Sequence, residues 1–168
     1  MEENYLFFWG HNPGSNGKKA CLSNWYRCSF VDSKTCIGYI STEQYMMQQK
    51  ALLFKDKITE CQILSSNSPR IAKQLGRQVK NFDKKSWDEK ARDIVYEGCL
   101  MKFSQNPKLK EYLLSTNDKI LVEASPHDPI WGIGLSAINA LRTPKDKWGK
   151  NWLGECLMRV RDTLKTSI

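Results

Sequence analysis

Ser41-Thr-Glu-Gln-Tyr-Met-Met-Gln-Gln-Lys50 sets the reading of the whole chain. Ser41 followed three residues later by Gln44 is a capping-box pattern, so a helix is expected with Ser41 as its N-cap. Glu43 and Lys50 stand two turns apart on that helix, which places a carboxylate and an amine on one face. Ala51-Leu-Leu-Phe54 carries the helix on into an apolar run. A carboxylate and an amine projecting together near a core is the arrangement from which an acid/base or amine-nucleophile site is built. The competing reading is a solvated surface pair, since the i,i+7 spacing is too long for a direct ion pair. Periodicity alone favours that plainer reading, and the rest of the chain shifts the balance.

Upstream of this stretch, Cys28 to Tyr39 has the pattern of a hairpin around an Asp-Ser-Lys turn. Before it stand Leu22-Ser-Asn-Trp-Tyr26, with Asn24 between large apolar neighbours, and a turn-rich His11-Asn-Pro-Gly-Ser-Asn-Gly17. Tyr5-Leu-Phe-Phe-Trp9 suits a strand. Downstream, a short helix is expected over Ile58–Leu64. Ser68-Pro69 opens another, with Ser as N-cap and Pro at the first helical position, and Gly76 ends it. Ser86-Trp-Asp-Glu89 forms a second capping box with Trp87 at the first helical position. From there Trp87, Ala91, Ile94, Gly98 and Met101 make one buried stripe, and Asn106-Pro107 closes that helix and caps a successor through Leu114. Lys119–Ala124 reads as a strand. Ser125-Pro-His-Asp-Pro-Ile-Trp-Gly-Ile-Gly134 is a loop, and Leu153, Leu157, Val160 and Leu164 define a last amphipathic helix. With no repeat, linker or low-complexity segment, the expectation is mainly α: a single α-rich domain over residues 1–168 with a few short strands.

Composition bounds the function. The 168 residues are 40% hydrophobic and 26% charged, the profile of a soluble globular protein. No apolar run approaches the roughly 20 residues that cross a bilayer, so no membrane partner is expected. Tyr5–Trp9 is too short for a signal-peptide core. The six cysteines show no C-x-x-C pair and no regular spacing, which points to reduced thiols in a cytoplasmic or nuclear compartment. The net charge of +8, with lysines and arginines frequent from Arg70 to Arg92 and from Arg142 to Lys165, is diluted by interleaved Asp and Glu with no block of like charge, and on its own it favours a phosphate-bearing small ligand.

Two histidines and no Cys or carboxylate cluster of ligand spacing give no expectation of a metal. No Walker loop is present, and Gly132-Ile-Gly134 lacks the third glycine of a dinucleotide fingerprint, so no cofactor is expected. What remains is Glu43, Lys50 and Asp128, with Trp87 and Trp131. In the Asp128–Gly134 loop an acid stands three residues from an indole, and Gly132 and Gly134 allow backbone to approach a ligand. The plainer alternative makes Trp131 core and Asp128 an Asx-turn residue. Arg77, just after Gly76, is a phosphate-binding candidate against the alternative of a solvated side chain.

Taken in order, these segments resemble the NADAR family, also called YbiA-like. The matching residues are Leu22-Ser-Asn-Trp-Tyr26, Ser41-Thr-Glu-Gln-Tyr45 through Gln49-Lys50, and Ala72-Lys-Gln-Leu-Gly-Arg77. They continue through Trp87, Lys102-Phe-Ser-Gln-Asn-Pro107, Leu121-Val-Glu-Ala-Ser125, Asp128 with Trp131-Gly-Ile-Gly134, Asn151-Trp-Leu-Gly154 and Leu157-Met-Arg-Val-Arg161. The first twenty residues and Arg142–Lys150 carry little of the pattern, and Trp25 stands where the family usually has Phe. The resemblance implies an α-rich fold and N-glycosidase activity, with family functional residues falling on Glu43, Trp87, Asp128 and Trp131. Lys50 joins them on geometry, and Asn24, Arg77, Gly132 and Gly134 are the further substrate-binding candidates.

Two substrate classes follow from the resemblance: ADP-ribose on the guanine base of nucleic acid, and the ribosylamino-pyrimidine phosphates of riboflavin biosynthesis. The first is preferred, because a +8 surface suits a polyanionic strand. Glu43 is then expected to do acid/base work at the sugar, Asp128 to orient ribose hydroxyls, the tryptophans to stack on a base, and Lys50 to attack as an amine. A reader of another class would be a non-catalytic ADP-ribose or nucleotide-binding module.

Overall fold

A computed structural model describes residues 4–167, which gather into two compact units: Asn24–Pro107, and 4–23 together with 108–167. Among the described residues are eight helices and four strands of three or four residues each. The chain is thus mainly α, as its caps and periodicities imply.

The unit Asn24–Pro107 is built on helix α2, Thr42–Leu53. A hairpin leads into it, β2 (Phe30–Asp32) antiparallel to β3 (Ile37–Tyr39), with Phe30 opposite Tyr39. Three helices pack around α2: α3 (Lys57–Leu64), α4 (Pro69–Gly76) and α5 (Lys84–Gln105). Every residue from Ser41 to Gln48 is buried, although five of those eight side chains carry a hydroxyl or amide group and a sixth is a carboxylate. Such a helix is stable inside a protein only if its polar atoms find partners. Ser41 Oγ accepts from Gln44 N at 3.1 Å, the expected cap. The Gln44 side chain reaches back one residue further than a capping box requires, accepting from Ile40 N at 2.9 Å, and donates to Ile63 O at 3.1 Å. Gln48 accepts from the Tyr39 hydroxyl at 2.9 Å and donates to Glu60 at 3.3 Å. Those bonds fasten α2 to the hairpin and to α3.

Close approach completes the packing. A Cβ on Gly98 of α5 would lie 2.6 Å from Tyr45 Cδ1, and one on Gly76 of α4 would collide with the Met47 side chain. Tyr45 in turn meets Tyr39 edge-on at 5.0 Å, and Phe30 stacks on Tyr39 at 5.4 Å. Helix α5 starts three residues earlier than the Ser86 box implies. Its N-cap is Asp83, whose carboxylate accepts from Ser86 N at 2.9 Å and Ser86 Oγ at 2.6 Å. An ionised acceptor near the positive helix end outcompetes a hydroxyl. Trp87 therefore sits beyond the first turn, not at the first helical position.

In the second unit β1 (Tyr5–Phe8) runs parallel to β4 (Ile120–Glu123), Tyr5 opposite Ile120. The residues after β1 are more helical than their turn-rich composition implies: α1 (Pro13–Asn16) and then a 3-10 stretch, Gly17–Leu22. Helices α6 (Pro107–Ser115), α7 (Ala137–Ala140) and α8 (Trp152–Lys165) complete it. Asn151, at a left-handed φ of 54°, stands in for a neighbouring strand. Its side chain accepts from Glu123 N at 3.0 Å and donates to Leu121 O at 2.9 Å. Buried Arg161 of α8 donates to Thr116 Oγ1 and Lys119 O, both at 2.9 Å.

The Gly98 contact has a testable sign. On an open helix Gly98→Ala would gain about 1 kcal/mol from propensity. Here the added methyl must displace buried Tyr45, and overpacking of that kind costs about 1–3 kcal/mol. The variant should unfold at lower urea than the parent with an unchanged slope. A raised midpoint would show that α5 does not press on α2 at this point.

Candidate active site

Glu43 is placed by the start of α2. Its backbone N–H, one of the helix's unpaired first-turn donors, is taken by Asn24 O at 2.9 Å. The Asn24 side chain is itself pinned, its Oδ1 accepting from Thr42 Oγ1 at 2.9 Å. Asn24 thus holds the N-terminus of α2, and Glu43 is 4% exposed. The positive end of the helix dipole favours a charge at this first-turn position.

Two turns on, half-buried Lys50 donates from Nζ to Gly76 O at 2.8 Å. The absent side chain at Gly76 is what lets α4 end close enough to α2 for that carbonyl to be reached. The same Nζ lies 4.5 Å from the Phe82 ring centroid and 5.8 Å from that of Trp87. Burial lowers the Lys50 pKa below its ordinary value; the Glu43 charge opposes the shift and the Arg77 charge adds to it. A lysine with a depressed pKa yields its nucleophilic neutral form more readily than an ordinary lysine does. Glu43 and Lys50 are therefore coupled through space, while Lys50's direct hydrogen bond goes to a carbonyl.

Asn24, Glu43, Lys50, Arg77 and Trp87 are thus brought together in one unit. Arg77 is exposed at the end of α4, and Trp87 is 8% exposed with its ring toward Lys50. Three further features of this unit show only once the helices pack. Phe82 covers the amine, and Gly76 O orients it. Lys102 is fully buried on α5, its Nζ 5.6 Å from the Tyr26 ring. The segment Lys102–Pro107 matches the family pattern, but burial of that ammonium becomes visible only when α5 is packed.

In the other unit Asp128 Oδ1 accepts from Ile130 N at 2.9 Å and from Trp131 N at 3.0 Å, an Asx turn. Trp131 meets Trp152 edge-on at 5.4 Å. A Cβ at Gly132 would lie 2.7 Å from Glu123 O, so that glycine admits the chain's own backbone, and Gly134 takes a φ of 70°. The loop is fixed from behind by the entry to α8: Asn151, Trp152 and Leu153 donate backbone N–H to Gly132, Ile130 and Trp131 carbonyls at 3.0–3.1 Å. Two first-turn donors of α8 are satisfied in this way. Among the described residues no group of three or more His, Cys, Asp or Glu side chains is placed to hold a metal ion.

The NADAR domain family model matches residues 7–165, spanning both units. The chain belongs to the NADAR family. It is 44% identical over 164 residues to N-glycosidase R617 of Acanthamoeba polyphaga mimivirus, covering 95% of this chain and 96% of that one. It is 32% identical over 165 residues to riboflavin biosynthesis protein VVA0006 of Vibrio vulnificus, covering 98% of this chain but 40% of that protein. The NMR structure of the E. coli protein YbiA superposes with a TM-score of 0.77 at 24% identity, over 99% of this chain and 88% of that one, and shares the fold. Curated NADAR relatives named N-glycosidases make this chain an enzyme of the hydrolase class.

The environment of Lys50 in this NADAR domain can be read chemically. Amine labelling as a function of pH, at low salt, should give Lys50 a lower midpoint than the surface lysines. Arg77→Gln removes a like charge and should move that midpoint up. Labelling of Lys50 in step with the exposed lysines would mean that water reaches the amine freely.

Proposed function

We propose that the enzyme hydrolyses the ribose C1′–N bond of ADP-ribosylated guanine in nucleic acid, releasing ADP-ribose and restoring the base. The observation that carries the chemistry is the pairing, on one buried helix, of the Glu43 carboxylate with a Lys50 amine whose pKa is lowered by burial. The N-glycosidase relatives support the bond class. The net charge of +8 supports the polymer.

In this reading the C1′–O4′ bond breaks as the exocyclic guanine N–H passes its proton to O4′, leaving C1′ as an imine carbon and O4′ as a hydroxyl. Glu43 takes the proton of the Lys50 ammonium, and the neutral amine adds to C1′. Glu43 passes a proton to the guanine nitrogen, which leaves with the C1′–N electron pair, and a Lys50 imine remains. Water then adds to C1′ with Glu43 as base, and the lysine departs as free amine. The sum is one water across one C1′–N bond. Trp87 offers a flat partner beside the reacting carbon, and Arg77 a cation for a phosphate. The roles proposed for Asp128, orienting ribose hydroxyls through Oδ2, and for Trp131, stacking on a base, rest on the family resemblance. So does the treatment of residues 1–168 as one domain, to which the span of the family match lends support. The free cysteines among the described residues fit a reducing cytoplasmic or nuclear setting.

A second reading has its own observation. The similarity to a riboflavin biosynthesis protein favours ribosylamino-pyrimidine phosphates, whose C1′–N bond makes the same demands on Glu43 and Lys50.

Incubation of the protein with an ADP-ribosylated guanine oligonucleotide and with the pyrimidine phosphates, side by side, separates the readings. Release of ADP-ribose and unmodified guanine is expected, with turnover at least about 100-fold lower in Glu43→Gln, the scale of a lost general acid. Activity confined to the pyrimidine phosphates would make the second reading correct. Tight binding of ADP-ribose with no turnover of any substrate would make the protein a reader. Parental rates in a folded Glu43→Gln protein would remove Glu43 from the chemistry.

A further inference from the structure

We propose that the loop Arg142–Lys150 is a contact surface for the phosphate backbone of a nucleic-acid strand; the proposal rests on the polymer substrate argued above and assigns the residues that recognise the polymer. The loop contributes little to the family pattern, so the catalytic reading leaves it without a task. Its nine residues, Arg142-Thr-Pro-Lys-Asp-Lys-Trp-Gly-Lys150, carry four cations against one acid. The other basic stretch, Arg70–Arg92, interleaves Asp83, Asp88 and Glu89, and Lys84 there is paired with Asp88. In the loop Arg142, Lys145, Lys147 and Lys150 are all exposed. Among the described residues no carboxylate pairs with Arg142, Lys147 or Lys150.

The loop holds these charges on a fixed frame. Trp148 Nε1 donates to Thr143 O at 3.1 Å, and the indole packs against Tyr5 and Phe7 at 5.4 and 6.0 Å. Lys147 N donates to Pro144 O at 2.9 Å and Trp148 N to Lys145 O at 3.0 Å, closing a 3-10 turn. Lys145 Nζ lies 4.8 Å from the Tyr5 ring and Lys150 Nζ 5.2 Å from that of Trp152, so both stems are guided over aromatic faces. The far end of the loop is bonded to the segment carrying Trp131: Gly149 N donates to Ile133 O and Lys150 N to Pro129 O, each at 2.8 Å. A row of cations is thereby anchored to the loop that bears a candidate base-stacking indole.

The geometry selects among anionic partners. A single phosphate is held by cations converging in a pocket, whereas these are spread along an exposed loop. A strand presents repeating phosphates at intervals that such a row can follow, with each contact adding about 0.7 to the salt dependence of binding to single strands. An anionic lipid surface would draw on the same charges, aided by exposed Ile138 and Leu141 nearby, and is the outcome the test must exclude.

The variant Arg142→Gln/Lys145→Gln/Lys147→Gln/Lys150→Gln removes the charge and keeps polar side chains. Fluorescence anisotropy with an unmodified single-stranded oligonucleotide of about 20 residues should show affinity roughly 10-fold or more weaker than the parent's at ~0.1 M salt. The slope of log affinity against log salt should fall by about 3, the share of four phosphate contacts. Arg70→Gln/Lys90→Gln/Arg92→Gln, neutral at exposed positions elsewhere, should bind much more tightly than the loop variant, and circular dichroism reports whether each variant is folded. Hydrolysis of a free ADP-ribosylated nucleoside should be unchanged in the loop variant. Parental affinity and slope in the folded loop variant would overturn the proposal. So would parental protein that binds phosphatidylserine vesicles and no oligonucleotide. Strand binding that depends on the loop, in a protein inactive on every modified guanine, would uphold the loop and overturn the proposed reaction.

Discussion

A helix whose first two turns carry Ser, Thr, Glu and Gln can be buried only if its polar atoms are satisfied, and that constraint governs the unit Asn24–Pro107. Each unpaired buried group would cost about 1–3 kcal/mol. The solution is local and specific. Ser41 and Asn24 take the first-turn amides, Gln44 joins the hairpin end to α3, and Gln48 links Tyr39 to Glu60. The partners that make α2 stable inside the protein also fix where Glu43 and Lys50 project. In the proposed reaction stability and chemistry would share the same hydrogen bonds, with Gly76 serving both, as close-packed backbone and as the acceptor that aims the lysine.

The packing around α2 also explains why the amine is unusual. Removing an ammonium from water disfavours its charge, and a neighbouring arginine adds to the effect. Here both act on Lys50, and only Glu43 opposes them. The balance leaves an amine that gives up its proton more readily than a surface lysine, beside a carboxylate that can move one.

Much of this was legible in the sequence because it is local. The Ser41 cap, the Pro69 start, the Gly76 stop and the Asn106-Pro107 break all follow from backbone rules, and each is where the sequence places it. The start of α5 was not, because Asp83-x-x-Ser86 and Ser86-x-x-Glu89 overlap, and the pattern alone does not rank an ionised cap above a hydroxyl. The side chains Glu43 and Lys50 could be nominated from a two-turn spacing. Their burial, the Phe82 ring over the amine and the immersion of Lys102 could not, since these depend on which helices pack on α2. Asn151 is a further case. It stands at the start of α8, yet its side chain completes the edge of β4 while the backbone after it ties down the Trp131 loop. Long-range pairing of that kind leaves no periodic trace.

The central claim is that burial on α2 turns Lys50 into a nucleophile toward a ribose carbon. Borohydride reduction during turnover of ADP-ribosylated guanine tests it most directly, because an imine at Lys50 would be converted to a stable secondary amine. Mass-spectrometric peptide mapping should find the sugar on Lys50 in the parent protein and nowhere in a folded Lys50→Arg variant, which keeps charge but forms no imine at neutral pH. Full turnover by Lys50→Arg, with no adduct trapped in the parent, would contradict the account and leave water as the direct attacking group.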